Sequence, residues 1–191
     1  MQPQIYEIAS VWSNKWANIL PMAEKLKERY PDRWVRFDTL PNSKRYPDNE
    51  DEYTTILNRH DSLLKRLGDG DILSVISCEW TNDPSVHSLH DSIRANIISD
   101  STYWQTFKDD DGADPEFQSY RHIYISKLAV GSDAANALLR AVAANEISGV
   151  IFAPNDFDWL YHPYDGGVDV ITATQNDRDE LRKQFQNWLP K

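Results

Sequence analysis

His162, Asp165 and Asp169 sit within fourteen residues of chain, in the run WLYHPYDGGVDVIT from Trp159 to Thr172, and their types and spacing could do chemistry. An imidazole held by a carboxylate can serve as a general base, because the carboxylate fixes the ring tautomer. The turn between them decides whether they meet. Asp165-Gly166 is the dipeptide that a type I′ turn requires, since both central residues need positive φ. A two-residue loop pairs Tyr164 with Gly167, Pro163 with Val168, His162 with Asp169, Tyr161 with Val170 and Leu160 with Ile171. His162 and Asp169 then face each other, with Cβ atoms about 5 Å apart. If Gly167 joins the loop as a bulge, the register slips and His162 faces Val170. The catalytic candidates are therefore His162 and Asp169. The candidate binding set is Tyr161, His162, Tyr164, Asp165, Gly166, Gly167 and Asp169. The plainer reading is an aromatic edge hairpin whose Asp-Gly-Gly serves only to turn the chain.

Other constellations carry less. His87, His90 and Asp91 share one side of a helix expected from Asp83 to Ile97, and two His with a carboxylate can bind a divalent metal. The apolar stripe Val86, Leu89, Ile93, Ile97 lies on the opposite side, so these ligands face solvent with nothing to orient them. His60-Asp61 and His90-Asp91 match the His-Asp pairs of metal phosphohydrolases, but those enzymes are all-helical. The acidic run Asp109, Asp110, Asp111, Asp114, Glu116 fails as a calcium loop, because Gly112 would put Phe107 at the first ligand position. Cys78 falls in an apolar strand and reads as packing rather than a nucleophile. There is no Gly-x-Gly-x-x-Gly, P-loop, Gly-x-Ser-x-Gly, His-Glu-x-x-His or Cys-x-x-Cys, so no metal or cofactor is expected.

The elements that must position these residues follow from periodicity. An apolar piece from Ile5 to Trp16 precedes a short helix in which Met22, Ala23, Leu26 and Tyr30 recur at helical spacing, between Pro21 and Pro31. A short strand is expected around Trp34 to Phe37, and Leu40 to Glu52 reads as an ordered surface loop. Tyr53, Ile56, Leu57, His60, Leu63, Leu64 and Leu67 form one continuous helix face, capped at its end by Gly68, which turns His60 toward the core. Ile72 to Trp80 is apolar enough for a central strand. In a strand from Ser119 to Leu128, Tyr120, His122, Tyr124 and Ser126 share a side. Ser132 caps a helix running to about Asn145, with Ala135, Leu138, Leu139 and Val142 inward. A strand from Gly149 to Ala153, the hairpin, and a last helix follow. Thr174 and Asp177 make a capping box for that helix, and Leu181, Phe185, Trp188 and Leu189 its stripe. The fold class is α+β: a mixed, largely antiparallel sheet of four or five strands covered by helices, ending in a β-hairpin and a C-terminal helix. Residues 1–191 form a single domain.

Four segments resemble a family of uncharacterised bacterial proteins: RWVRFDTLPNSKRYP (Arg33 to Pro47), STYW (Ser101 to Trp104), DPEFQSYRHIYISKL (Asp114 to Leu128) and WLYHPYDGGVDVI (Trp159 to Ile171). A second similarity is to bacterial domains of unknown function whose turn reads Tyr-Asp-Asp-Arg-Gly, where this chain has Gly166 and Gly167 in place of the Asp-Arg. Neither resemblance implies an activity.

Bulk properties bound the function. The formal charge is -10, from 30 acidic and 20 basic residues, which argues against a nucleic-acid partner and favours a basic protein one. The lone Cys78 forms no internal disulfide, and with no secretory start or membrane-length apolar run the expected location is cytoplasmic, with no membrane partner. Seven Trp and nine Tyr are unusual, and aromatics serve both cores and interfaces. The expectation is a non-catalytic cytoplasmic interaction protein, immunity-like, binding a basic partner such as a toxin domain. The rival is a small enzyme or ligand-binding protein built on His162, Asp165 and Asp169.

Overall fold

The computed structural model describes residues 3–68, 72–85, 92–109 and 118–191. Its centre is a seven-stranded sheet in the order β1-β7-β6-β5-β2-β4-β3. The strands are β1 (Trp34–Asp38), β2 (Ile72–Thr81), β3 (Thr102–Asp109), β4 (Ser119–Ala129), β5 (Val150–Ala153), β6 (Leu160–Tyr164) and β7 (Gly167–Ile171). Every pairing is antiparallel, so the expected mixed sheet of four or five strands is corrected to seven antiparallel ones. The strand missing from the sequence reading is β3. Its register slips between Tyr103 and Gln105, and that bulge breaks the alternation by which a strand is recognised.

Both faces of the sheet are covered. On one, Val35, Phe37, Val75, Phe152, Tyr161 and Val170 pack against helices α3 (Glu50–Leu67), α5 (Asp133–Ala143) and α6 (Gln175–Gln184). On the other, Ile76, Ile123, Ile151, Leu160 and Ile171 pack against α1 (Pro3–Trp16) and α2 (Ala23–Arg29). The surplus tryptophans serve this second layer. Trp12 sits edge-on to Trp104 at 5.7 Å and to Phe157 at 5.4 Å, and Trp16 sits edge-on to Tyr30.

Local signals explain the helices. Asn49 accepts from the Glu52 amide at the start of α3, and Ser132 from the Ala135 amide at the start of α5. Thr174 and Asp177 form the reciprocal capping box at α6. In α3, Ile56, His60, Leu63 and Leu64 are buried as their spacing predicts. The stripe assigned to the last helix is only partly helical. Phe185 terminates α6 and Trp188 lies in a following 3-10 turn, both half-buried. The helix expected from Asp83 is described only as α4 (Ser92–Ile97), and Ile93, placed on its apolar face, is exposed. His87, His90, Asp91 and the acidic residues 110–116 lie outside the described residues.

Candidate functional site

The hairpin adopts the two-residue loop, with His162 opposite Asp169 and Tyr164 opposite Gly167. The turn is not type I′. Gly166 alone has positive φ, at 92°, and Asp165 does not, as in a type II turn. A side chain on Gly166 would also meet the Arg45 Cα at 3.0 Å. The second glycine answers to space instead: a Cβ on Gly167 would stand 2.5 Å from the Tyr164 hydroxyl oxygen, because the Tyr164 ring lies across it.

Facing residues do not make a catalytic pair here. Asp169, buried at 8% exposure, takes a bidentate bond from Arg36 on β1, Nε to Oδ1 at 2.8 Å and Nη2 to Oδ2 at 3.1 Å. Lys27 of α2 approaches the same carboxylate at 3.6 Å. The bond to Asp169 holds the Arg36 guanidinium above its ordinary pKa. The expected hydrogen bond from the His162 ring to Asp169 is absent, because β7 sits between β6 and β1 and the stronger cationic donor lies on the β1 side. The Nδ1 atom of His162 is buried and has no hydrogen-bond partner. Burial lowers the His162 pKa, against the pull of Asp169, so the ring is neutral near pH 7.

The remaining members of the candidate set separate. Asp165 is bound by Arg45 Nε at 2.6 Å and points away toward the chain after Leu40. Tyr164 shares the His162 face, its ring 5.9 Å from the imidazole and 5.2 Å from the Arg36 guanidinium, and burial pushes its phenol up. Tyr161 belongs to the opposite face, since successive strand residues alternate. Its hydroxyl lies 2.6 Å from Nδ1 of His60, and both side chains are fully buried. Burial alone drives the His60 pKa down to about 3 and the Tyr161 phenol well up, so the pair is uncharged.

On that same face, the β2, β3 and β4 strands hold a polar cluster around His122, which is 0% exposed. Thr81 gives its hydroxyl proton to the Asp83 carbonyl, so it accepts from Nε2 of His122 at 2.8 Å. Nδ1 lies 2.7 Å from the Thr106 hydroxyl oxygen, which accepts from the Tyr103 hydroxyl. His122 is thus a structural node joining three strands. Buried beside it are three hydroxyls without hydrogen-bond partners, on Ser77, Tyr124 and Ser126, and burial raises the Tyr124 phenol to about 12. The shared side of Tyr124, His122 and Ser126 was legible in the sequence. Their neighbours Thr81 and Thr106 were not, because neither carries a signal by type.

Around His162, the residues that sequence reasoning missed are Lys27, Arg36, Glu24 and Arg121. Arg121 is 8% exposed and donates to Asp109 and to Glu24, each at 2.8 Å, with its guanidinium 5.1 Å from the Trp80 ring. Arg36 lies within the strand expected around Trp34 to Phe37. No local signal pairs residue 36 with residue 169. Cys78 is buried nearby, as its strand position implied, and burial pushes its thiol up to about 12. Among the described residues, no group of three or more His, Cys, Asp or Glu side chains is placed to hold a metal ion, and no helix is long and apolar enough to cross a membrane.

The fold and its hairpin define an α+β protein with a helix-covered antiparallel sheet. A family described as a domain of unknown function (DUF3885) matches residues 22–191, which include α2 and all seven strands, and the chain belongs to that family. No curated protein and no solved structure matches the chain.

Proposed function

We propose that this is a non-catalytic interaction protein of the bacterial cytoplasm, immunity-like, whose acidic surface receives a basic protein partner. The observation that carries the reading is charge. The net value is -10, and the cations near the hairpin are engaged within the fold: Lys27 and Arg36 by Asp169, Arg45 by Asp165 and Arg121 by Glu24 and Asp109. Internal pairing leaves the net charge unchanged, so the field felt by an approaching partner is negative. Exposed Tyr6, Tyr46 and Trp80 add the aromatic surface that interfaces use. Against the enzyme reading stands the commitment of both hairpin carboxylates. For Asp169 to serve His162 as a base partner, it would first have to leave Arg36.

The test is a pulldown with the full chain as bait from its host, at low and high salt. The expected result is a basic protein captured at low salt and released as the Debye length falls from about 10 Å at 0.1 M to about 3 Å at 1 M. Capture that ignores salt, or of an acidic protein only, overturns the electrostatic reading. No capture at any salt, together with turnover or a ligand response abolished by His162→Ala, would favour the enzyme.

A further inference from the structure

Helix α1 is attached to the rest of the fold through strained backbone. Among the described residues, six non-glycine positions have positive φ, and Asn18, Asn42, Ser43 and Asn145 among them carry the short polar side chains that best tolerate it. The other two are Ala17, at 50°, and Phe157, at 55°. Both belong to the attachment of α1. Ala17 directly follows Trp16, the last residue of the helix, and with Asn18, at 60°, turns the chain toward α2. Phe157 lies against Trp12 of α1, edge-on at 5.4 Å, and the next residue, Asp158, pairs with Lys15. Strain of this kind persists only where the surrounding packing enforces it.

The helix is patterned to dock. Ile5, Trp12 and Trp16 share one face at i, i+7 and i+11 and are all buried, and Ile8 and Ala9 between them pack against the same apolar cluster, which includes Trp104, Ile123 and Phe157. Residues 22–191, which match the family, hold all seven strands, so the groove under α1 lies within the family domain. Its cover is joined to that domain through the short segment from Ala17 to Pro21.

We infer that α1 is exchanged between two copies of this chain: the hinge at Ala17 and Asn18 straightens, and α1 of each copy docks in the groove of the other. The contacts of α1 with the groove are the same in both forms, so the balance turns on the hinge and on the cost of association. In the closed monomer Ala17 must hold a left-handed backbone, whereas an extended hinge does not ask this of it. Lifting α1 also withdraws Trp12, which leaves Phe157 free to relax and favours opening. A second copy is the occupant because its α1 carries the anchors the groove already accepts, Trp12, Trp16 and Lys15 against Asp158. Exchange at this face is independent of whether a basic protein binds elsewhere.

The full chain, equilibrated at up to about 1 mM, should show a dimer of doubled mass by light scattering. One position shifts it both ways. Ala17→Gly removes the left-handed penalty from the closed monomer and, with two hinges per dimer, should weaken the dimer about ten-fold or more. Ala17→Val, β-branched and worse at positive φ, should strengthen it. Exchange itself is read by mixing Lys15→Glu with Asp158→Lys. In either variant alone, the helix meets a like charge in its own groove and in a copy's. In the mixed exchanged dimer both contacts pair opposite charges, so native mass spectrometry should show heterodimers outnumbering homodimers by about five-fold. A dimer population unchanged by Ala17→Gly overturns the hinge, and a statistical mixture of the charge variants overturns exchange in favour of association through another surface. A wild type that stays monomeric at about 1 mM overturns the inference as a whole. Should Ala17→Val fail to fold, Ala17→Gly and the charge mixture decide alone.

Discussion

The uncharged His60–Tyr161 pair makes stability depend on pH in a way that a single substitution isolates. In the unfolded chain His60 protonates near 6.5, whereas in the fold, where desolvation is unrelieved by any carboxylate, it resists until about 3. Between those values the unfolded state binds the proton and the native state does not, so stability falls as pH drops. The slope approaches 1.36 kcal/mol per pH unit, and from pH 7 to pH 5 the loss through His60 is about 2 kcal/mol. His60→Gln removes the titration and keeps a hydrogen-bonding side chain against the Tyr161 hydroxyl. At pH 7 the variant should be less stable than wild type by about 1–3 kcal/mol, for imperfect satisfaction of a buried hydroxyl. At pH 5 the gap should shrink by about 2 kcal/mol, to about 1 kcal/mol or less or to an inverted sign, because only the wild type must bind a proton on unfolding. His162, also depressed by burial, titrates in both proteins and cancels in the difference. The assay is urea unfolding followed by tryptophan fluorescence at pH 7, 6 and 5. A gap constant to within about 0.5 kcal/mol across that range refutes the claim that His60 is buried and neutral.

The hairpin and the last helix give three further expectations. Gly166→Ala forces a β-carbon into a positive-φ position against Arg45 and should cost about 1–2 kcal/mol, while Gly167→Ala drives one into the Tyr164 hydroxyl and should cost about 1–3 kcal/mol; both are read by thermal unfolding, and neutrality of either refutes the turn geometry. Arg36→Gln leaves the buried Asp169 with only Lys27 at 3.6 Å, a loss of about 1–3 kcal/mol after discounting for the partial exposure of Arg36, measured by urea unfolding. Thr174→Ala removes the capping box of α6 and should lower stability by about 1 kcal/mol, with reduced amide protection confined to the first turn of that helix.

What the sequence made legible was local. The α3 stripe, the caps at Ser132 and Thr174 and the apolar β2 strand all depend on residues within one element, where periodicity and capping chemistry suffice; the hairpin register was left between two alternatives, and the type I′ turn expected for it is not the one formed. Legibility failed wherever the answer lay in which element lies beside which. Strand β3 was hidden by its bulge at Tyr103 and Gln105, and the partner of Asp169 stands 133 residues away on β1. Tyr161 and His162 show both sides of this limit at once. Strand alternation puts them on opposite faces of β6, although the candidate binding set had grouped them. What each would meet was settled only by the helices that cover the two faces. The α3 side supplied Tyr161 with His60, at 2.6 Å, and the imidazole and phenol satisfied each other. The α2 side supplied His162 with a cavity, and left its Nδ1 without a partner. Two neighbouring residues of one strand thus meet opposite surroundings, one hydrogen-bonded within the core and one with an unsatisfied ring nitrogen, because the covering helices differ in what they present.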